Sequence, residues 1–129
     1  MPEIAVREAF ETFGTMRSDI CFHKGLFKDT VPNWKKTDPI AALRIDGNYH
    51  DSYQDALCCM HESVPVGGIV IFDDVMSHPP VMRCWTDFKR EQNLTENLQQ
   101  IDKHSAWFCK ERVVKIDMTH FRAPQDANI

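Results

Sequence analysis

Two short apolar runs mark the middle of the chain. The first spans Ile40–Ile45, the second spans Ile69–Phe72, and an acidic residue directly follows each of them. Between the runs, apolar positions recur at helical spacing from Tyr53 to Glu62, and Asp51-Ser52 supplies an N-cap. The order strand, helix, strand predicts two parallel strands joined by a crossover helix.

The amino-terminal segment extends this unit less regularly. Apolar residues at helical spacing predict a helix over residues 3–13, which ends at Gly14. A short strand is predicted over Ile20–His23. Residues 26–39 are polar and irregular, with one short helical turn near Asp29.

The carboxyl-terminal segment changes from helical to β-rich patterning. A helix is predicted over Val81–Gln92, followed by a helical turn and loop over Asn93–Lys103. Two β-rich runs then follow, Ala106–Cys109 and Val113–Ile116. The connection between them is so short that it predicts an antiparallel hairpin.

These elements together predict an α/β domain. Strands that alternate with helices favour a parallel sheet covered on both faces. A terminal antiparallel hairpin on such a sheet is the pattern of Rossmann-like methyltransferases. We expect one domain over residues 1–117 and a polar tail over residues 118–129.

Composition narrows the class of protein. The 129 residues are 43% hydrophobic and 26% charged, as expected for one soluble globular domain. A net charge of -4 argues against a nucleic-acid or anionic-membrane partner. No apolar run approaches the roughly 20 residues that span a bilayer. The start lacks signal-peptide features, and five cysteines without Cys-x-x-Cys spacing suggest buried, reduced thiols, so we expect a cytoplasmic protein.

Carboxylates follow both central strands. Asp46 ends the first strand, and Asp73 and Asp74 end the second. Carboxyl ends of adjacent parallel strands meet in the crevice where open α/β sheets bind ligands. The three carboxylates could hold one divalent cation there, although strand-end aspartates also serve simply to cap helices or turns.

Short motifs spread over nearly the whole chain carry a family resemblance. They are Val6-Arg7-Glu8, Lys24–Thr30, Pro32, Leu43–Gly47, Asp51-Ser52, Asp55–Leu57, Gly67-Gly68 and Ile71–Asp74. In this order and spacing they resemble the macrocin O-methyltransferase family. The resemblance implies S-adenosylmethionine-dependent methylation of a hydroxyl on a small molecule, typically a natural-product sugar. It also implies a Mg²⁺ ion held by Asp46, Asp73 and Asp74. A hydroxyl is only weakly acidic, and a hard cation can chelate and acidify it.

The resemblance begins only at the helix after the family's second strand. We therefore expect the carboxyl-terminal half of a methyltransferase, without the glycine-rich loop that holds the methionine part of the cofactor. Without the family's first strand, Ile40–Ile45 would have an unpaired apolar edge. Three outcomes are expected: Ile20–His23 pairs with that edge, two chains cover it as a homo-oligomer, or the isolated chain is poorly stable.

The sequence does not determine which residue acts as the catalytic base. The family commonly has an aspartate, a proposed general base, where this chain has Asn48, and a neutral amide cannot accept the proton. His50, Asp51 or His78 could substitute, and His78 is attractive because it closely follows the acidic pair. The alternative for His78 is a solvated or structural histidine. Proton loss to water is also open.

A cofactor contact is implied just after the predicted early strand. Gly25, Leu26 and Phe27 stand where such enzymes usually contact the adenine ring of S-adenosylmethionine. An ordinary turn with Leu26 and Phe27 packed in the core explains the same residues equally well.

Three functions follow from these observations. The first is a Mg²⁺-assisted O-methyltransferase. The second is a catalytically inactive remnant that serves as an interaction module. The third is a metal-dependent phosphohydrolase that uses the same aspartates, although Asn48 removes the second acid of an Asp-x-Asp nucleophile motif.

Overall fold

The computed structural model describes residues 1–120. Its helices are α1 (Glu3–Thr12), α2 (Phe27–Thr30), α3 (His50–Met60) and α4 (Pro79–Glu91). Its strands are β1 (Ala42–Ile45), β2 (Ile69–Phe72), β3 (Gln99–Gln100) and β4 (Ala106–Cys109). Short 3-10 turns lie at Val31–Asn33, His61–Ser63 and Met118–His120. Of the predicted polar tail, residues 121–129 lie outside the described residues.

β1 and β2 form the predicted parallel pair, and α3 is their crossover helix. Leu43 lies opposite Val70, and Ile45 lies opposite Phe72. β4 runs antiparallel to β2, and β3 runs antiparallel to β4, which gives the sheet order β1-β2-β4-β3. The predicted α/β fold, with parallel central strands and a carboxyl-terminal antiparallel hairpin, is confirmed.

The core lies between one face of this sheet and the pair α3 and α4. Phe72 and Phe108 point into it from the strands, and Tyr53 and Trp85 meet them from the helices. The Tyr53 and Phe72 rings stack at 5.9 Å, and the Trp85 and Phe108 rings stack at 4.9 Å. Each such aromatic pair stabilises the fold beyond the area it buries, by about 0.5–1.5 kcal/mol.

The opposite face of the sheet is only partly covered in the described part of the chain. Ala42 and Arg44 are exposed there, and Ile69, Ile71 and Trp107 are half-buried. The expected coverage by helices on both faces is therefore wrong for residues 1–120. The physical reason is that α1 buries none of its residues, so it does not form a second helical layer.

The predicted strand over Ile20–His23 is wrong. These residues are irregular, and the expected pairing with the central strand is absent, because β1 pairs only with β2 among the described residues. An extended segment becomes a strand only when a neighbour completes its hydrogen bonds. Phe22 instead packs against α1, where its ring lies 5.8 Å from the Phe10 ring. The Arg7 guanidinium lies 4.3 Å from the centre of the Phe22 ring.

The carboxyl-terminal hairpin forms with a different partner from the predicted one. β4 pairs with Gln99–Gln100, which lies in the segment predicted as a helical turn and loop. Val113–Ile116 is not a strand, although Val114 and Ile116 are buried. The amide of Ile116 donates to Glu62 Oε1 at 2.6 Å, so a side chain replaces the expected strand partner.

The cysteines are all free thiols, but their surroundings differ. Cys58, Cys59 and Cys84 are buried, as expected, whereas Cys21 is exposed in the irregular segment. Burial is the main cause that raises the pKa of Cys58 and of Cys84 to about 12, so both remain protonated. Among residues 1–120, no helix has the length and apolarity required to cross a bilayer.

Candidate functional site

The ends of the two parallel strands bring three carboxylates together. Asp46 follows β1, and Asp73 and Asp74 follow β2. Because Ile45 lies opposite Phe72, the next residues in register are Asp46 and Asp73. One carboxylate oxygen from each of the three aspartates lies within 4.8 Å of the others. This all-oxygen, anionic donor set has the chemistry that Mg²⁺ or Mn²⁺ prefers, so the residues present fit such an ion.

Backbone hydrogen bonds fix the two strand ends. The Asp73 amide donates to the Ile45 carbonyl at 3.0 Å. The buried Tyr53 hydroxyl of α3 reaches the same carbonyl at 3.0 Å and also contacts the Asp73 carbonyl. Asp74 has a φ of 58°, a left-handed conformation that aspartate tolerates better than most residues. The loop geometry therefore holds the carboxylates in place from beneath.

Tyr53→Phe should weaken this support. The Ile45 carbonyl keeps the Asp73 amide as a donor, but the Asp73 carbonyl loses the tyrosine hydroxyl. We expect the free energy of unfolding to fall by about 1–2 kcal/mol, measured by urea denaturation. The substitution keeps the aromatic ring and removes only the hydroxyl. An unchanged free energy of unfolding would therefore show that the hydroxyl does not hold the strand ends.

Electrostatics make the cluster a strong site for positive charge. Partial burial raises the pKa of Asp46, and so do its hydrogen bond with Asp73 and the negative charge of Asp73, while the Arg44 guanidinium opposes the rise. Burial and the same acidic charges also raise the pKa of Tyr53. The tyrosine therefore stays protonated and acts as a hydrogen-bond donor.

Arg44 is a member of the site that sequence reasoning did not assign. Its Nη2 lies 3.2 Å from Asp46 Oδ2 and 3.3 Å from Asp73 Oδ1. The signal was present in the sequence, because residues two apart on a strand share a face, and Arg44 stands two positions before Asp46.

The turn between β3 and β4 supplies further polar groups that the sequence did not reveal. The Ser105 hydroxyl donates to Asp73 Oδ1 at 3.2 Å. His104 Nδ1 lies 2.8 Å from the Ser77 hydroxyl, and the His104 carbonyl accepts from the Met76 amide at 2.8 Å. No local pattern signals this arrangement, since it depends on which segment pairs with β4.

The candidate base residues lie close to the acids along the chain but differ in their contacts. Asn48 is exposed and has a φ of 60°. His78 begins α4 as its N-cap residue, its amide donates to the Asp74 carbonyl at 2.7 Å, and its side chain is exposed. His50 Nδ1 lies 3.1 Å from Asp51 Oδ1.

A cavity of about 680 Å³ lies between β1 and the amino-terminal segment. Gly25 and Phe27 line it, whereas Leu26 is 63% exposed, so the expectation of Leu26 packed in the core is wrong. Arg44 lines the same cavity and also contacts the acidic cluster. The cavity and the carboxylates are therefore adjoining parts of one candidate site, and the volume suits a small organic ligand.

The sheet order β1-β2-β4-β3, with one parallel pair and an antiparallel end, matches part of a Rossmann-like methyltransferase fold. The structure of the O-methyltransferase NovP superposes with a TM-score of 0.81 at 31% identity, covering 87% of this chain and 46% of that chain. The chain belongs to the macrocin O-methyltransferase (TylF) family, whose model matches residues 1–110. The calicheamicin methyltransferase CalS11 shares the fold, with a TM-score of 0.66 at 17% identity over 84% of this chain and 48% of that chain.

Curated relatives agree with this assignment. Demethyldecarbamoylnovobiocin O-methyltransferase from Streptomyces niveus is 32% identical over 110 residues, which are 85% of this chain and 42% of the relative. Mycinamicin III 3''-O-methyltransferase from Micromonospora griseorubida is 24% identical over 103 residues, 80% of this chain and 40% of the relative. The chain thus spans less than half the length of these relatives.

Proposed function

We propose that this chain carries the metal- and acceptor-binding part of an S-adenosylmethionine-dependent O-methyltransferase. The acceptor would be a hydroxyl of a small molecule, and a sugar on a natural product is the class we favour. The observation that carries the proposal is the meeting of Asp46, Asp73 and Asp74 at the ends of two parallel strands. The names of the relatives support the reaction class.

Asp46, Asp73 and Asp74 would hold a Mg²⁺ ion. The ion would supply Lewis acidity and a fixed point for two neighbouring hydroxyls of the acceptor. The chain's own contribution is orientation: Ser105 fixes one Asp73 oxygen, and Tyr53 fixes the strand ends from which the carboxylates project. Holding the acceptor in line with the methyl group lowers the entropic part of the barrier.

The acceptor proton would pass to a side chain near the acidic cluster. Asn48 cannot take it, since an amide has no basic site at neutral pH. We propose His78, whose exposed imidazole follows Asp74 by four residues. A neutral imidazole nitrogen can accept a proton, so a histidine suits general base catalysis.

We propose that Gly25 and Phe27, with the exposed Leu26 between them, form the cofactor contact. Gly25 and Phe27 line the cavity beside β1, which supports an adenine ring packed on the Phe27 side chain. Gly25 has a φ of 143°, and an added Cβ would lie 2.8 Å from Thr30 Cγ2, so a larger residue would alter the wall.

Isothermal titration calorimetry of the chain with S-adenosylmethionine, with and without Mg²⁺, tests the proposal. Detectable binding of the cofactor, followed by transfer of a labelled methyl group to a sugar hydroxyl, is the expected result. Absence of heat at millimolar cofactor would instead favour an inactive remnant that acts as an interaction module. Asn48, a neutral residue at the position of the family's proposed base, is the observation that favours this second function.

We also propose that two chains associate through the free edge of β1. That edge has no strand partner among the described residues, and unpaired edges readily add another strand. Light scattering after size-exclusion chromatography tests this: a monomer at all concentrations would argue against it.

Buried, unbridged thiols support a reducing, cytoplasmic location.

A further inference from the structure

Arg44 places a positive charge among the three carboxylates. One nitrogen of its guanidinium, Nη2, lies within 3.3 Å of both Asp46 Oδ2 and Asp73 Oδ1. A divalent cation shared by Asp46 and Asp73 would have to approach the same two carboxylates that Arg44 contacts.

Repulsion among the three carboxylates explains why the Arg44 guanidinium lies beside them. Three carboxylates that approach to within 4.8 Å repel one another when all are ionised. A guanidinium with several donors can neutralise two of them at once. The Arg44 side chain is 58% exposed, so breaking its two ion pairs would return the guanidinium largely to solvent.

We propose that Arg44 is a built-in counter-ion of the acidic cluster, which a divalent cation must displace in order to bind Asp46 and Asp73. This inference rests on the proposed metal site. It makes Arg44 a positioning residue that sets cation affinity by competition.

Titration with Mn²⁺, followed by electron paramagnetic resonance of the free ion, tests the competition. Arg44→Gln should bind Mn²⁺ about tenfold more tightly than wild type, since two partly exposed ion pairs no longer have to break. Arg44→Lys should bind roughly threefold more tightly, since one ammonium bridges the two acids less well than a planar fork. The matched control is Arg90→Gln, which removes an arginine paired with Asp87 on α4 and should leave affinity unchanged.

A second measurement separates this role from a purely structural one. Without metal, Arg44→Gln should have a lower thermal midpoint than wild type, because the carboxylates lose their counter-ion. Saturating Mn²⁺ should abolish that difference, since the cation then neutralises the same oxygens. A structural role elsewhere would leave the difference in place at all Mn²⁺ concentrations.

The outcomes separate this inference from the proposed function. If wild type and Arg44→Gln bind Mn²⁺ equally, or the variant binds more weakly, the counter-ion role is overturned while the metal site stands. If only the variant binds, competition by Arg44 is established. If neither binds, both the metal site and this role are overturned. Should Arg44→Gln fail to fold, equal affinity of Arg44→Lys and wild type would overturn the role.

Discussion

Asp73→Asn should weaken binding of Mn²⁺ by at least about 100-fold, the largest effect expected from a single substitution in the site. Asp73 contacts more of the site than the other acids do. Its Oδ1 accepts hydrogen bonds from the Ser105 hydroxyl and the Arg44 guanidinium. Its backbone amide donates to the Ile45 carbonyl and so links the ends of β2 and β1. Asparagine keeps the shape and one oxygen acceptor, so the substitution removes mainly the negative charge.

The same variant distinguishes loss of a ligand from loss of folding. In the metal-free protein, removal of one of three mutually repelling charges should leave the thermal midpoint unchanged or higher. Asp87→Asn is the control, since it neutralises an acid on α4 that pairs with Arg90 away from the cluster. Calorimetric titration of both variants checks the prediction. Wild-type affinity in Asp73→Asn would remove the aspartate from the proposed ligand set.

The second large effect concerns acid stability and a histidine outside the site. His61 is fully buried, with its ring 5.6 Å from that of Phe88 and 6.1 Å from that of Phe108. Neither ring nitrogen has a hydrogen-bond partner among residues 1–120. Burial, and then the positive charge of Lys110, lower the pKa of His61 to about 4, against the opposing influence of Glu96 and Glu62.

The depressed pKa makes the fold sensitive to acid. The unfolded chain binds a proton at His61 near pH 6.5, whereas the folded chain binds it only near pH 4. Between these values the unfolded state holds more protons, so stability falls as the pH falls, and the full loss is about 3 kcal/mol below pH 4. Above pH 6.5 both states are neutral at this position and it contributes no pH dependence.

His61→Leu isolates this contribution from that of the carboxylates. We expect wild type to lose about 2 kcal/mol more than the variant between pH 7.5 and pH 4.5, as measured by urea denaturation. Leucine also removes two unsatisfied nitrogens, so the variant should be at least as stable at pH 7.5. His23→Leu, at an exposed position, should follow the wild-type pH profile. Parallel profiles for wild type and His61→Leu would contradict the prediction.

Local pattern was sufficient for the central unit of the fold. The runs that became β1 and β2 were visible as apolar segments, and the helical spacing between them identified α3. Acids placed directly after two parallel strands must lie near each other, because parallel strands end at the same edge. The grouping of Asp46, Asp73 and Asp74 could therefore be predicted from the sequence alone.

Strand pairing between segments that are far apart in the chain could not be predicted from local pattern. Gln99–Gln100 is a polar pair without β-forming character, and it becomes a strand only because β4 supplies its hydrogen bonds. Val113–Ile116 has the stronger β pattern but satisfies the Ile116 amide through the Glu62 side chain. Ile20–His23 likewise has a strand-like sequence but pairs with no strand in the described part of the chain.

The sequence alone therefore determined the α/β class, the parallel pair and the carboxylates at its ends, since these follow from residue periodicity and chain order. Only the tertiary structure decided that Arg44 bridges two of the acids, that Ser105 fixes Asp73, and that His61 is buried without a side-chain hydrogen bond to any described residue. The physical reason is that hydrogen bonds, ion pairs and burial depend on packing between segments that are far apart in the chain, and periodicity carries no information about those distances.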